Sequence, residues 1–294
     1  MPSLSRRSAA AAVLLLLIFS TSAAAQGRGR GLGRGRGTSG PTDSSPSAPS
    51  IPGTGTRDFG VWLDDATLPP KGRGWATFGV GYWRSTFGHQ WDAPSFDAGL
   101  GISRRVQIGI TAPVSRAHYD DGSSISGLGD TYVAIKVGLI DPSATGRSYG
   151  LAVAPVIEVL GSGSVEEGGR RVHWALPVAF ERRFPRFRAY GATGYFSRGA
   201  VFGSAAVEVP ATAKVTLTGA LSYARSLKTD ALSDARQLSR GRWDVTASGT
   251  YMLTPAATLF GSVGRTISRL DENASSLGVG AGVSLGFQRP AFRP

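Results

Sequence analysis

The stretch Ser276-Leu277-Gly278-Val279-Gly280-Ala281-Gly282-Val283-Ser284-Leu285-Gly286-Phe287 alternates without interruption between an apolar residue and a glycine or serine. Side chains on a strand point to opposite faces in turn, so this pattern puts every apolar group on one face and nothing larger than serine on the other. A helix would spread both kinds around its circumference. The length also matters, because a tilted strand needs about 9–11 residues to cross the hydrocarbon of a membrane. A strand this long, with an unbroken apolar face and a slender opposite face, is the mark of a transmembrane β-barrel wall.

Moving back along the chain, the same pattern recurs as far as Gly74. Ala76, Phe78, Val80 and Tyr82 share a face, as do Val106, Ile108, Ile110 and Ala112. Thr131, Val133, Ile135, Val137 and Leu139 make another set, and Val172, Trp174, Leu176, Val178 and Phe180 another. The spacing predicts about twelve strands, over 74–85, 94–103, 105–116, 127–140, 147–160, 171–183, 186–197, 200–209, 213–225, 241–253, 256–268 and 274–287. An all-β, antiparallel outer-membrane barrel of about twelve strands follows, with ten to fourteen compatible with the spacing; bacterial barrels favour an even count, which leaves both termini in the periplasm.

The connections give an independent check. Outer-membrane barrels alternate short periplasmic turns with longer outer loops. Here the longest connections, 117–126, 161–170 and 226–240, all follow odd-numbered strands and are polar. Pro142, Pro185, Pro210 and Pro255 fall at the opposite ends, where no ladder hydrogen bond is lost. Trp62, Trp75, Tyr82, Trp83, Trp91, Tyr132, Trp174, Tyr190, Tyr195, Tyr223, Trp243 and Tyr251 lie mostly near strand ends, where interfacial girdles would place them.

Ahead of the barrel, Arg6 and Arg7 precede an apolar run from Ala9 to Phe19 and the small residues Ser22-Ala23-Ala24-Ala25. This is the pattern of a signal peptide cleaved after Ala25, and the run is too short for a spanning helix of about 20 residues. Residues 26–57 form an Arg/Gly-rich, then Ser/Pro-rich linker that cannot bury enough apolar surface to order itself. Residues 58–73 are a short periplasmic lead-in, 74–287 the barrel, and 288–294 a tail that displaces the aromatic Phe287 from the terminus. Charged residues are only 18% of the chain, against roughly 25% in soluble domains, so a helical soluble enzyme fits poorly. Arginines of the leader, the linker and the strand ends make up much of the net charge of +12, which favours an anionic membrane over nucleic acid as its counterpart.

If the apolar set faces lipid, the opposite set faces the lumen. That set holds Asp97, Asp130, Lys136, Glu158, His173, Glu181, Glu208, Lys214, Arg242 and Asp244. Ionised groups of both signs must be hydrated or paired. Asp130, Lys136, Glu158, Glu181 and Glu208 are the candidate lumen-lining residues of a porin-like channel passing small solutes by diffusion. The alternative is a non-conducting structural or surface-interaction barrel in which the same charges form a closed network. Outer-membrane lipid, lipopolysaccharide and the barrel assembly machinery are the expected partners, with no nucleic acid and no cofactor.

The sequence offers little for catalysis. With no cysteine, thiolate metal sites and thiol nucleophiles are excluded. His89 and His118, near Asp92 and Asp120-Asp121, lack a metal-ligand spacing, and His173 with Ser162 or Ser164 lacks a third positioning group. No catalytic and no metal residue is assigned.

The segment Gly127-Leu128-Gly129-Asp130-Thr131-Tyr132-Val133-Ala134-Ile135-Lys136 resembles the G-x-G-D…K strand of the MetA-pathway of phenol degradation family of porin-like outer-membrane transporters. The resemblance implies a barrel that passes small, often aromatic, solutes. Asp130 and Lys136, six apart, share one strand face, and the alternation points both into the lumen.

Overall fold

In the computed structural model, the described residues are 63–86, 88–141, 147–163, 171–227, 239–270 and 274–288. The signal peptide 1–25, the linker 26–57, the lead-in as far as residue 62 and all but the first residue of the tail lie outside them, as do parts of the outer loops.

Fourteen strands form one antiparallel sheet: β1 (Arg73–Arg84), β2 (Gly88–Gly101), β3 (Val106–Tyr119), β4 (Ser124–Leu128), β5 (Thr131–Ile140), β6 (Tyr149–Val153), β7 (Val156–Val159), β8 (Val172–Arg183), β9 (Arg188–Phe196), β10 (Ala200–Pro210), β11 (Val215–Ser226), β12 (Gly241–Thr254), β13 (Ala257–Thr266) and β14 (Leu277–Gln288). Both β4 and β5 pair with β3, and both β6 and β7 lie between β5 and β8. Each couple is one wall strand broken once, so the ring has twelve. Its seam is β1 against β14, in register from Arg73 opposite Gln288 to Arg84 opposite Leu277. Closure there joins the first strand to the last, the condition for strands to lie in hydrocarbon.

The breaks have local causes. Pro155 has no N–H to give, and the ladder resumes around it through Ile135 N–H donating to the Pro155 carbonyl and Ala154 N–H to the Pro177 carbonyl. At the β4–β5 break, Gly127 sits at φ 148°, and a Cβ there would lie 2.2 Å from Ser162 Oγ. Only glycine lets the 161–163 loop seat against the wall at that point.

The apolar alternation faces outward. Phe78, Val80, Ile108, Ile135, Ile157, Val279 and Leu285 are all exposed. On the same outer face, aromatic pairs cluster toward the long-loop end: Tyr82 with Trp91 at 4.7 Å, Trp174 with Tyr195 at 5.7 Å, and Tyr223 with Trp243 at 4.6 Å. The opposite end carries the short turns, including 184–187, 211–214 and 255–256.

Four details differ from the sequence expectation. The β2–β3 hairpin is longer, because Gly88 to Asp92 pair with Ser115 to Tyr119 across a register shift that accommodates Pro94. Trp75, Tyr132 and Tyr190 belong to no outer girdle; they point inward and are almost completely buried. Lys214 lies exposed in the 211–214 turn. The largest difference concerns the lead-in: residues 63–69 are buried, and 63–70 run inside the ring at its short-turn end.

Candidate functional site: the lumen and its inserted segment

Residues 63–70 approach the wall beside β2, where the Gly72 N–H donates to the Gly101 carbonyl at 2.8 Å. A Cβ at Gly101 would come within 2.5 Å of the Pro69 and Pro70 carbonyl oxygens, so its lack of a side chain lets the segment turn inward. Leu68 then fills the space over Gly138 of β5. Ala66 joins Ala152, Ala179 and Ala192, a patch on β6, β8 and β9 with no exposed surface. Leu63 packs with Tyr190 and Ala206. The segment thus crosses the lumen along the wall from β2 to β10, over side chains small enough to leave it room.

Polar contacts pin it. Lys136 Nζ donates to Asp64 Oδ1 at 2.9 Å and to Asp65 Oδ1 at 3.2 Å. Arg188 pairs with Asp65 Oδ2, and with Glu208 at 2.9 Å. The Thr67 hydroxyl donates to Glu181 and accepts from Arg183 Nη2 at 3.0 Å. Arg183 also pairs with Glu181, and Arg188 lies 4.6 Å from the centre of the Tyr190 ring. Three cations from the wall therefore meet two wall carboxylates and two from the segment, at exposures of a few per cent for Lys136, Asp64, Asp65 and Glu181. Such charges are tolerated in a dry site only when paired this closely. Burial raises the Asp64 carboxyl to about 6; Lys136 opposes the rise and Asp65 adds to it.

A second network stands nearer the long-loop end. The Tyr132 hydroxyl donates to Glu158 at 2.8 Å, and Arg198, from the β9–β10 turn, reaches in to Glu158 at 2.7 Å. Asp130 is half-buried beside this pair, close enough to act on both members electrostatically. Phe196, Phe202, Ala134 and Val156 make the surrounding surface apolar.

The far wall has another character. Thr77, Thr111, Thr216, Thr246, Thr250 and Ser284 line it from β1, β3, β11, β12 and β14. Ser222, Ser248 and Ser262 on its inward face keep partial exposure. Asp97 takes hydrogen bonds from Trp75 Nε1 at 3.0 Å and Thr111 at 2.9 Å, and Asp244 pairs with Arg242 at 2.8 Å. One half of the lumen is therefore hydroxyl-lined, and the other holds the inserted segment.

The five candidate residues fall into two groups. Lys136, Glu181 and Glu208 belong to the network around residues 63–70, while Asp130 and Glu158 belong to the other. Sequence reasoning missed Asp64, Asp65, Thr67, Arg183, Arg188 and Arg198. Arg183 and Arg188 carried a usable signal, since each shares the alternation of an inward residue, Glu181 and Tyr190 respectively. Asp64 and Asp65 lie outside any strand pattern and carried none. His89 and His118 stack at 5.2 Å, His173 meets the edge of Phe196, and among the described residues no group of three or more His, Asp or Glu is arranged to hold a metal ion.

No family model and no curated protein matches the sequence. Solved structures do. An outer-membrane channel from Pseudomonas putida F1 superposes with a TM-score of 0.60 at 12% identity, over 76% of this chain and 98% of that one. The NanC porin superposes with a TM-score of 0.51 at 9% identity, over 71% of this chain and 98% of that one. The molecule has the antiparallel β-barrel fold of outer-membrane porin-type proteins.

Proposed function

We propose that the protein is a non-catalytic outer-membrane channel that passes small solutes by diffusion, with its lumen narrowed from the periplasmic end by residues 63–70. The single observation that carries this reading is the two-sided lumen. The inserted segment covers the β5–β10 wall, while hydroxyl groups of β11–β13 on the opposite side keep partial exposure. The lipid-facing belt and the charged inner face agree with it. The two solved barrels compared above are named as a channel and a porin, which supports the same reading.

On this reading the mature protein is exported by its leader and inserted by the assembly machinery, and it lies among outer-membrane lipid and lipopolysaccharide. Kinship with the phenol-degradation transporters rests on residues 127–136. Their two glycines frame the β4–β5 break, and Asp130 and Lys136 contribute to different networks.

The buried ion pairs favour a second reading, a closed structural barrel. Conductance of the detergent-folded mature chain in a planar lipid bilayer separates the two. Discrete, reproducible steps are expected of the channel; a folded barrel that stays silent, with and without residues 63–70, would establish the closed barrel.

A further inference from the structure

Every hydrogen-bond acceptor of Lys136 Nζ among the described residues belongs to the inserted segment, and none to the wall. A wall lysine buried to 2% exposure without a wall counter-ion is costly unless something anionic arrives. Arg183 and Arg188 stand in the same network, and the wall itself supplies Glu181 and Glu208. Without Asp64 and Asp65 this network sets three wall cations against two wall carboxylates. We propose that Lys136 and Arg188 form a carboxylate-binding site of the lumen, with Arg183 held beside them on Glu181, that Asp64 and Asp65 occupy it in this structure, and that a small solute bearing two carboxylates takes it when residues 63–70 withdraw.

The surroundings fit such a ligand. Arg188 offers a planar fork to carboxylate oxygens and is backed by the Tyr190 ring, and Lys136 offers a point charge that already serves two carboxyl groups. Ala152, Ala179 and Ala192 form an apolar patch under the segment, now covered by Ala66, that a short carbon chain would suit. The segment is then an internal competitor: it keeps the cations paired while the lumen is empty, and a diacid displaces it by making the same contacts. This rests on the channel reading for the solute's route to the lumen; the binding chemistry does not.

The test uses the detergent-folded mature chain and succinate, with succinamide as the uncharged analogue. Calorimetric titration of Asp64→Ala/Asp65→Ala should show succinate binding roughly tenfold tighter or more than in the wild type, because apparent affinity scales with the fraction of sites left open. Succinamide should not bind, and adding Lys136→Met should remove the succinate signal. A folded double variant that takes up no succinate overturns the site.

Should that variant fail to fold, the otherwise wild-type chain carrying Leu68→Cys decides. Succinate should accelerate maleimide labelling of Cys at 68 saturably, and succinamide or sodium chloride at matched ionic strength should not; no acceleration overturns the proposal. Bilayer recordings keep the two readings apart. Conduction without succinate binding removes only the site, and binding by a silent barrel removes only the channel.

Discussion

Replacing Lys136 with methionine tests what holds residues 63–70 in the lumen. The substitution removes a cation at 2.9 Å from Asp64 and 3.2 Å from Asp65, and it leaves two adjacent carboxylates buried with Arg188 as the remaining cation on Asp65. Methionine fills most of the vacated volume, so the effect is chiefly electrostatic. Removing one partner of a buried pair costs about 3–5 kcal/mol. At about 1.4 kcal/mol per decade, the ratio of docked to withdrawn segment should fall by roughly two to three and a half decades, levelling off once the segment is mostly withdrawn. The chain has no cysteine, so a single Leu68→Cys reports withdrawal without background. Leu68 is 3% exposed and over Gly138, so a thiol there is protected while the segment is docked. The smaller side chain weakens docking equally in every variant compared. Labelling by a membrane-impermeant maleimide should be far faster with Lys136→Met than without it. Adding Asp64→Asn and Asp65→Asn should slow it again, since replacing both sides of a buried pair removes the uncompensated charge. Equal labelling rates with and without Lys136→Met, to within about twofold (~0.4 kcal/mol), would show that packing alone retains the segment.

Two further outcomes are expected. Asp64 titrates near 6 when docked and near an ordinary ~3.9 when withdrawn. The docked state therefore holds the proton more tightly, so docking strengthens as pH falls through 6 and gains nothing more below about 4. Labelling at Leu68→Cys, corrected for thiol ionisation, should slow between about pH 7.5 and about pH 5, and a flat profile would exclude Asp64 as the titrating group. On the outer face, Ile135 is 48% exposed and pairs with Ile108. Ile135→Arg should cost about 2–4 kcal/mol of folding stability in lipid vesicles, as a charge near mid-bilayer does. Ile135→Leu should be close to neutral, and equal urea midpoints for the two would mean that this face does not meet hydrocarbon.

The wall of the barrel was legible in the sequence because its cause is periodic. Lipid on one side and a lumen on the other impose alternation on every strand, so segments such as 277–287 declare their faces residue by residue. The breaks at Gly129 and Pro155 interrupt hydrogen bonding without changing the number of crossings, and the strand count survived them. What alternation cannot show is the size and polarity of an inward aromatic. Trp75, Tyr132 and Tyr190 lie on the inward face by their register, yet their ring chemistry suggested an interface. Trp75 turns inward because Asp97 accepts its indole N–H and Gly99 leaves room for the ring; a Cβ at Gly99 would fall 1.9 Å from Trp75 Cη2.

Residues 63–70 were illegible for a deeper reason. They form no strand or helix, so no period marks them, and they are held by residues from β5 to β10 that lie about 70 to 145 positions away. Their signal is divided between two places: an acidic pair outside any strand pattern, and three cations on the inward register of β5, β8 and β9 beside two wall carboxylates. Each half has an ordinary explanation by itself, a solvated turn or a basic strand end. The small side chains tell the same story. Alanines at 152, 179 and 192 read as barrel filler, but a row of them on neighbouring strands leaves a trough, and a dry trough beside buried cations must be filled by something that is both slender and anionic. Asp64-Asp65-Ala66 satisfies both conditions, which is why the segment lies against β5–β10, where Lys136 and Arg188 receive its carboxylates.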